Sequence, residues 1–231
     1  MELKLWLSFL MLHVIPDVQS ANTQWIIDVP SRIPAVQGSC VVIPCSYAYP
    51  KPRSKTILNS WRGFWKRGNK IVSTNLRKWK LTEEFKKRTQ LLGNLGARNC
   101  TMLLDGVRST DVGPFHFRIE IPQYKSFSFV EKTVSIDVIR KPDPPSMSVE
   151  VADKVKVSCS VFHSCPTNLP TFSWSRSGVV TRRSKKLNKW KWETKSTLTF
   201  VPIYPDSKKT LNCTVKYRGG KKAEGSITLQ I

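Results

Sequence analysis

The order of cysteine and tryptophan in the C-terminal half most constrains what this chain can fold into. Cys159, Trp174 and Cys213 follow one another as in an immunoglobulin sandwich, where a disulfide joins two β-sheets and packs on a strand-C tryptophan. The chain has 6 cysteines, which by count alone allow many pairings. This pattern selects one of them, a Cys159–Cys213 bridge, and it predicts an all-β fold.

Short runs of alternating apolar and polar residues recur along the chain, and no window carries a helical stripe over three turns. Between two groups of such runs lies the segment 140–145 (RKPDPP), whose prolines cannot join a sheet ladder or a helix. We therefore predict two tandem β-sandwiches joined by this segment, over residues 21–139 and 140–231. The runs that carry the prediction are 40–45, 100–104, 115–121, 155–161 and 198–202.

The first predicted sandwich departs from the usual cysteine pattern. Cys45 falls on strand B and Trp65 on strand C, but Phe117 stands where the strand-F cysteine is expected. Cys45 therefore needs another partner, and Cys40 and Cys100 are the other cysteines of that half.

This layout resembles the sialic-acid-binding immunoglobulin-like lectins, above all the sialoadhesin and myelin-associated glycoprotein type. The resemblance covers nearly all of residues 21–231. It implies a V-set domain followed by a C2-set domain, with a Cys45–Cys100 bridge inside one sheet and a Cys40–Cys165 bridge between the domains. The stretches that carry it are 40–45 (CVVIPC), 91–104 (LLGNLGARNCTMLL), 117–121 (FRIEI), 158–160 (SCS) and 164–174 (SCPTNLPTFSW).

Arg118 is the candidate binding residue. With Phe115 and Phe117 in the core, alternation along the strand places Arg118 on the outer face. A guanidinium can make two parallel hydrogen bonds to a carboxylate, such as that of sialic acid, and the resemblance puts Arg118 at the family's essential arginine. The alternative is an exposed strand arginine that pairs with Glu120.

The resemblance implies four further contact residues. Trp25 would contact the N-acetyl group and Phe127 the glycerol side chain, although Phe127 lacks the polar group of the usual Trp or Tyr. Tyr124 and Ser128 would line the same site, with backbone hydrogen bonds from 125–128. Alternatively, Trp25 and Phe127 are packing residues.

Residues 1–20 predict a secretory signal peptide, because the apolar stretch 5–15 is too short to span a bilayer and small residues precede Ala21. We therefore expect an extracellular protein, at the plasma membrane if the chain is part of a type I receptor and secreted if it is complete. Nucleic acid is then not an expected partner, disulfides are permitted, and no membrane span is predicted within the chain.

The net charge of +22 is larger than binding an acidic sugar requires. It could steer the protein toward sialylated surfaces, bind sulfated glycosaminoglycans such as heparan sulfate, or be a plain solvated surface. Accordingly, a second hypothesis is an immunoglobulin module that binds heparan sulfate or a protein through this surface, and a third is a structural spacer. The charge is concentrated in 61–70, 77–80, 86–88 and 182–192.

We expect no enzyme, metal or cofactor, because the sequence shows no phosphate-binding loop, no Ser/His/Asp constellation and no ligand cluster around its histidines. Asn99 and Asn212 begin N-glycosylation sequons. In both, the next residue is a cysteine that faces the core, so each asparagine is expected to face solvent.

Overall fold

The computed structural model describes residues 24–52, 60–77 and 81–230, so the predicted signal peptide at 1–20 lies outside the described residues. Within these ranges the chain is built from β-strands and short 3₁₀ turns at Glu83–Phe85, Leu95–Ala97 and Tyr204–Asp206. None of the described helices has the length and apolar character needed to cross a bilayer. The prediction of an all-β protein is confirmed.

The N-terminal half forms the first sandwich. One layer is the antiparallel sheet β10-β9-β5-β6, to which the parallel pair β2–β11 connects through the Phe115–Val134 bridge. The other layer consists of β3-β8-β7 with the pair β1–β4. The strands are β1 Ile26–Asp28, β2 Arg32–Val36, β3 Val41–Ile43, β4 Ser46–Ala48, β5 Arg62–Arg67, β6 Lys70–Thr74, β7 Thr89–Leu91, β8 Met102–Leu104, β9 His116–Ile121, β10 Lys125–Ser128 and β11 Ser135–Ile139. The strand β6 next to β5 is the addition that distinguishes a variable-type domain.

The C-terminal half forms the second sandwich, with the order β12-β13-β16-β15 in one sheet and β14-β17-β18 in the other. This is the four-plus-three arrangement of a constant-type immunoglobulin domain. The strands are β12 Ser146–Val151, β13 Val155–His163, β14 Thr171–Trp174, β15 Val179–Lys186, β16 Trp192–Phe200, β17 Thr210–Lys216 and β18 Lys222–Thr228. The segment 140–145 contains no strand.

The core of the first sandwich forms around Trp65 and Phe117, which are fully buried. The Trp65 indole Nε1 donates a hydrogen bond to the Cys100 carbonyl at 2.8 Å, so the tryptophan is anchored at the disulfide. The second core packs Trp174 against Cys159 and Cys213, as the sequence pattern predicts.

All three expected disulfides are present. Cys159–Cys213 joins β13 to β17 across the two sheets of the second sandwich. Cys45–Cys100 joins residues next to the paired strands β3 and β8, so this bridge lies within one sheet. Cys40–Cys165 links the two sandwiches.

The two sandwiches also touch through side chains and backbone. Trp190, between β15 and β16 of the second sandwich, packs against the core of the first. Gly38 and Gly219 approach so closely that a Cβ on Gly219 would lie 2.5 Å from the Gly38 carbonyl oxygen. Two ion pairs, Lys189–Asp28 and Arg218–Asp105, cross the same boundary.

Candidate functional site

Arg118 lies on the outer face of the sheet β10-β9-β5-β6. Burial alternates along β9, with Phe117 and Ile119 fully buried and Arg118 one-third exposed. The neighbouring strand β10 places Ser128 directly opposite Arg118. Arg118 Nη1 donates a hydrogen bond to Ser128 Oγ at 3.0 Å. The predicted outward direction of Arg118 is therefore confirmed.

Glu120 occupies one edge of the guanidinium. Arg118 Nε donates to Glu120 Oε1 at 3.0 Å, and both side chains are about one-third exposed. In the described part of the chain, Nη2 makes no hydrogen bond to another residue. An incoming carboxylate therefore has access to the Nη1–Nη2 end of the fork, while Glu120 keeps the Nε side.

The aromatic residues form a separate cluster at the edge of the sandwich. The Trp25 and Phe127 rings stack at 4.9 Å between centroids and 5° between planes. Phe127 lies opposite Ile119 in the ladder, so its side chain points toward the core side of the sheet rather than toward the Arg118 side. The rings stack on each other instead of flanking an open gap.

Tyr124 completes the aromatic cluster. Its ring lies 6.4 Å from Trp25, and its hydroxyl donates to the Pro50 carbonyl at 2.7 Å. The structure thus divides the predicted residues into two groups: Arg118 with Ser128 on the outer face, and Trp25 with Tyr124 and Phe127 at the edge. Among the described strands β10 is the edge strand of its sheet, so the groups lie on either side of this one strand.

The outer face also carries basic residues on β5. Arg62 lies opposite Glu120, and Lys66 opposite His116. Burial, together with the charge of Lys66, lowers the pKa of His116. In the sequence, Arg62 and Lys66 stand out only as part of the basic run 61–70. Strand alternation around the buried Trp65 would have put both on the outer face, but only the register places them beside β9.

A concavity of about 310 Å³ opens at the β9–β10 turn, where Glu120, the partner of Arg118, lines it. It combines polar and apolar surface, and it continues from Glu120 toward Tyr124. Its lining residues are Arg62, Glu120, Ile121, Pro122, Gln123, Tyr124, Lys125 and Ser126. A ligand held at Arg118 would have room there for a neighbouring group.

The two sequon asparagines differ in exposure. Asn99 is exposed, as expected for the residue before a buried cysteine. Asn212 is only half-buried, and its Oδ1 is enclosed without a hydrogen-bond partner among the described residues. The expectation that both face solvent therefore holds fully for Asn99 and only in part for Asn212.

Comparison with known proteins identifies clear relatives. The chain matches no protein-family model. It is 31% identical over 212 residues to the myelin-associated glycoprotein of Homo sapiens, covering 86% of this chain and 33% of that protein. It is 26% identical over 223 residues to the sialic acid-binding Ig-like lectin 5 of Homo sapiens, covering 89% of this chain and 38% of that protein.

Solved structures similar to the chain include bovine butyrophilin, with a TM-score of 0.40, 14% identity, and coverage of 90% of this chain and 99% of that one. Mouse nectin-like molecule 4 gives a TM-score of 0.36 and 17% identity, covering 87% of this chain and 66% of that one. The chain spans about one third of the length of the myelin-associated glycoproteins it matches. Over most of its length the chain is therefore similar in sequence to the myelin-associated glycoproteins and to sialic acid-binding Ig-like lectins.

Proposed function

We propose that this protein is an extracellular lectin that binds terminal sialic acid on glycoproteins or glycolipids and acts in cell adhesion or cell-surface recognition. The observation that carries the proposal is the position of Arg118. Its guanidinium is oriented by Ser128 and Glu120, and its Nη1–Nη2 end stays open on the outer face. An exposed, pre-oriented fork of this kind suits a carboxylate, because two hydrogen bonds form with little further loss of side-chain freedom.

The proposed binding mode uses both groups of residues. The sialic acid carboxylate bonds end-on to Arg118, and Ser128 offers its hydroxyl to the same ligand. The ring then lies across the edge strand β10, whose unpaired backbone groups can bond to the sugar. The Trp25–Phe127 stack gives one continuous apolar surface for the acetyl or glycerol group. Tyr124 borders the concavity that would receive the next sugar.

The remaining assignments belong to the same proposal. Residues 21–139 form the ligand-binding V-set domain and residues 140–231 the C2-set domain. Residues 1–20 are a signal peptide that directs the chain out of the cell. Asn99 is the better of the two candidate glycosylation sites, because its side chain is exposed.

The test compares Arg118→Ala and Arg118→Lys with the unchanged chain on an array of sialylated and desialylated glycans. We expect Arg118→Ala to abolish sialic-acid-dependent binding. Arg118→Lys should weaken it at least about ten-fold, because a lysine keeps the charge but not the bidentate geometry. The matched control is Arg108→Ala, which removes an exposed arginine elsewhere in the same domain. Unchanged binding by Arg118→Ala, or binding that survives sialidase treatment of the target, would refute the proposal.

A further inference from the structure

The outer face of the sheet β12-β13-β16-β15 in the second sandwich carries cations and hydroxyl groups at its centre. Burial alternates along β13 and β16, so the residues that face outward can be read from the register. Six of them line a concavity of about 400 Å³, which we call the basic–hydroxyl face: Lys156, Thr181, Arg183, Lys195, Thr197 and Thr199.

The strand register arranges these residues in rows. Thr197 lies between Ser158 and Thr181 in the ladder. The hydroxyls of Thr181, Thr197 and Thr199 form the floor of the concavity. Lys195 lies between Ser160 and Arg183 at one end of the floor.

At the other end of the floor, Lys156 lies beside Thr199. Lys195 and Thr199 are four residues apart on β16, so the two cationic ends are separated by about 13 Å along the strands. This spacing suits an extended polyanion better than a single small anion.

Lys156, Arg183 and Lys195 form no ion pair with any residue that the structure describes. Glu150 and Glu193 lie on the same face, opposite Lys156 and Lys185 in the ladder, yet neither forms an ion pair with a described residue.

Strand β15 carries further positive charge beyond the concavity. It is exposed along its whole length and lies at the edge of its sheet among the described strands. Arg182 and Lys186 on its other face extend the field, so that a long ligand meets positive charge from either side of the edge.

We propose that the basic–hydroxyl face binds a sulfated polysaccharide that runs parallel to the strands. Sulfate groups would pair with Arg183 and Lys195 at one end and with Lys156 at the other. The threonine hydroxyls would bond to sulfate and sugar oxygens between them. This site is on the other domain from Arg118, so it goes beyond the proposed lectin function and does not depend on it.

Three observations favour a sulfated polysaccharide over nucleic acid or a membrane surface. Three disulfides place the protein in an oxidising compartment, where sulfated polysaccharides are abundant and nucleic acid is not. The floor of the face consists of hydroxyls and has no aromatic ring on which a nucleic-acid base could stack. The exposed apolar residues of this face, Phe162 and Val179, stand at its two ends rather than forming the continuous apolar strip that a membrane-inserting surface needs.

The test measures heparin binding of the whole chain by affinity chromatography and by titration at 0.15 M salt (about physiological). The triple variant Lys156→Gln, Arg183→Gln and Lys195→Gln should elute at clearly lower salt and bind heparin about ten-fold more weakly, because each lost charge pair contributes a modest amount. The matched control removes the same three charges from exposed positions at the opposite sheet, with Lys209→Gln, Lys216→Gln and Lys222→Gln.

Several outcomes separate this site from its alternatives. An equal loss of heparin affinity in the control variant would show that binding depends on net charge alone, and it would overturn the proposal. Equal binding of desulfated heparin, of a single-stranded oligonucleotide or of phosphatidylserine vesicles would overturn it as well. Arg118→Ala must keep full heparin binding while losing sialic acid. If it loses both, the two sites are one and the proposal fails.

Discussion

At the scale of single residues, Arg118 is held by two neighbours, and one of them has opposing effects on ligand binding. Its Nε is bonded to Glu120 and its Nη1 to Ser128. Glu120 orients the guanidinium, but it also offsets the positive charge that a ligand carboxylate would meet. Because both side chains are about one-third exposed, water screens their attraction and the pair contributes only about 0–1 kcal/mol.

Replacing Glu120 with glutamine should therefore strengthen sialic acid binding. The amide keeps the shape and can still accept from Arg118 Nε, while the negative charge next to the ligand disappears. We expect the dissociation constant for sialyllactose to fall about two- to five-fold in an NMR titration. Glu131→Gln, which removes an exposed carboxylate from the same domain, should leave it unchanged. A weaker complex with Glu120→Gln would mean that Glu120 acts through orientation instead.

His163 is a buried residue whose charge state matters for stability. Its Nδ1 accepts from the Cys165 backbone N–H at 3.2 Å, so Nε2 carries the proton and donates to Thr194 Oγ1 at 2.7 Å. Burial lowers the pKa of His163 to about 4. The fold thus favours the neutral ring above about pH 4. The ring lies at the edge of a cavity of about 410 Å³ between the domains, which Asp143 and Lys191 also line.

The protein should lose stability as the pH falls from 6.5 toward 4. In this window the unfolded chain takes up a proton on His163 and the folded chain does not, so protonation favours unfolding by at most about 3 kcal/mol. The free energy of unfolding, measured in urea at several pH values, should depend less on pH in His163→Gln than in the unchanged protein. His116 has its pKa lowered too and acts in the same direction, so the informative quantity is the difference between the two proteins. Identical profiles would contradict the assignment.

At the scale of elements, the turn that leads into β9 is held by a buried ion pair. Asp111 is 1% exposed, pairs with Arg88 and accepts from the Arg108 backbone N–H at 2.7 Å. Arg88 also donates to the Glu84 and Gly106 carbonyls, both at 2.8 Å. Together these bonds fasten the loop that precedes the strand of Arg118.

Asp111→Asn should lower the free energy of unfolding by about 3–5 kcal/mol, because it leaves the guanidinium of Arg88 without its counter-charge in a buried position. The matched control is Asp137→Asn, which breaks an ion pair with Arg32 whose side chains are 69% and 42% exposed. That change should lower the free energy of unfolding by no more than about 1 kcal/mol. Equal losses for both variants in urea denaturation would show that burial does not decide the effect.

At the scale of the whole molecule, several kinds of contact join the two sandwiches. The Cys40–Cys165 bridge is covalent, and beside it the Val42 backbone N–H donates to the Ser164 carbonyl at 2.9 Å. Trp190 packs on the first core, and Arg218 makes a bidentate pair with Asp105. The bridge is therefore one of several restraints on the angle between the domains.

The double change Cys40→Ser and Cys165→Ser should lower the free energy of unfolding by about 2–4 kcal/mol, because it frees a long loop in the unfolded chain. The domains should keep their relative positions, since the other contacts remain. The radius of gyration from X-ray scattering should therefore not change until Trp190→Ala is added. An increase with the cysteine changes alone would show that the bridge by itself holds the angle.

The fold was predictable from the sequence to the level of two sandwiches and the Cys159–Cys213 bridge, and the resemblance implied the other two bridges. Alternation along β9 is a local property, and it correctly predicted that Phe117 points inward and Arg118 outward. The partners of Arg118 could be predicted only in part. Glu120 lies on the same strand, whereas the hydrogen bond to Ser128 depends on the β9–β10 register. Predicting Trp25 and Phe127 as two separate contacts overlooked their stacking, because one precedes β1 and the other lies on β10.

By itself, the sequence determined the class of fold and the direction of the key arginine, since strand periodicity and cysteine order are encoded in short stretches of chain. Only the tertiary structure decided which side chains meet. It stacked Phe127 on Trp25, and it gathered Lys156, Arg183 and Lys195 from three strands onto one face. The physical reason is that register and sheet order arise from contacts between residues far apart in sequence, which no local pattern specifies.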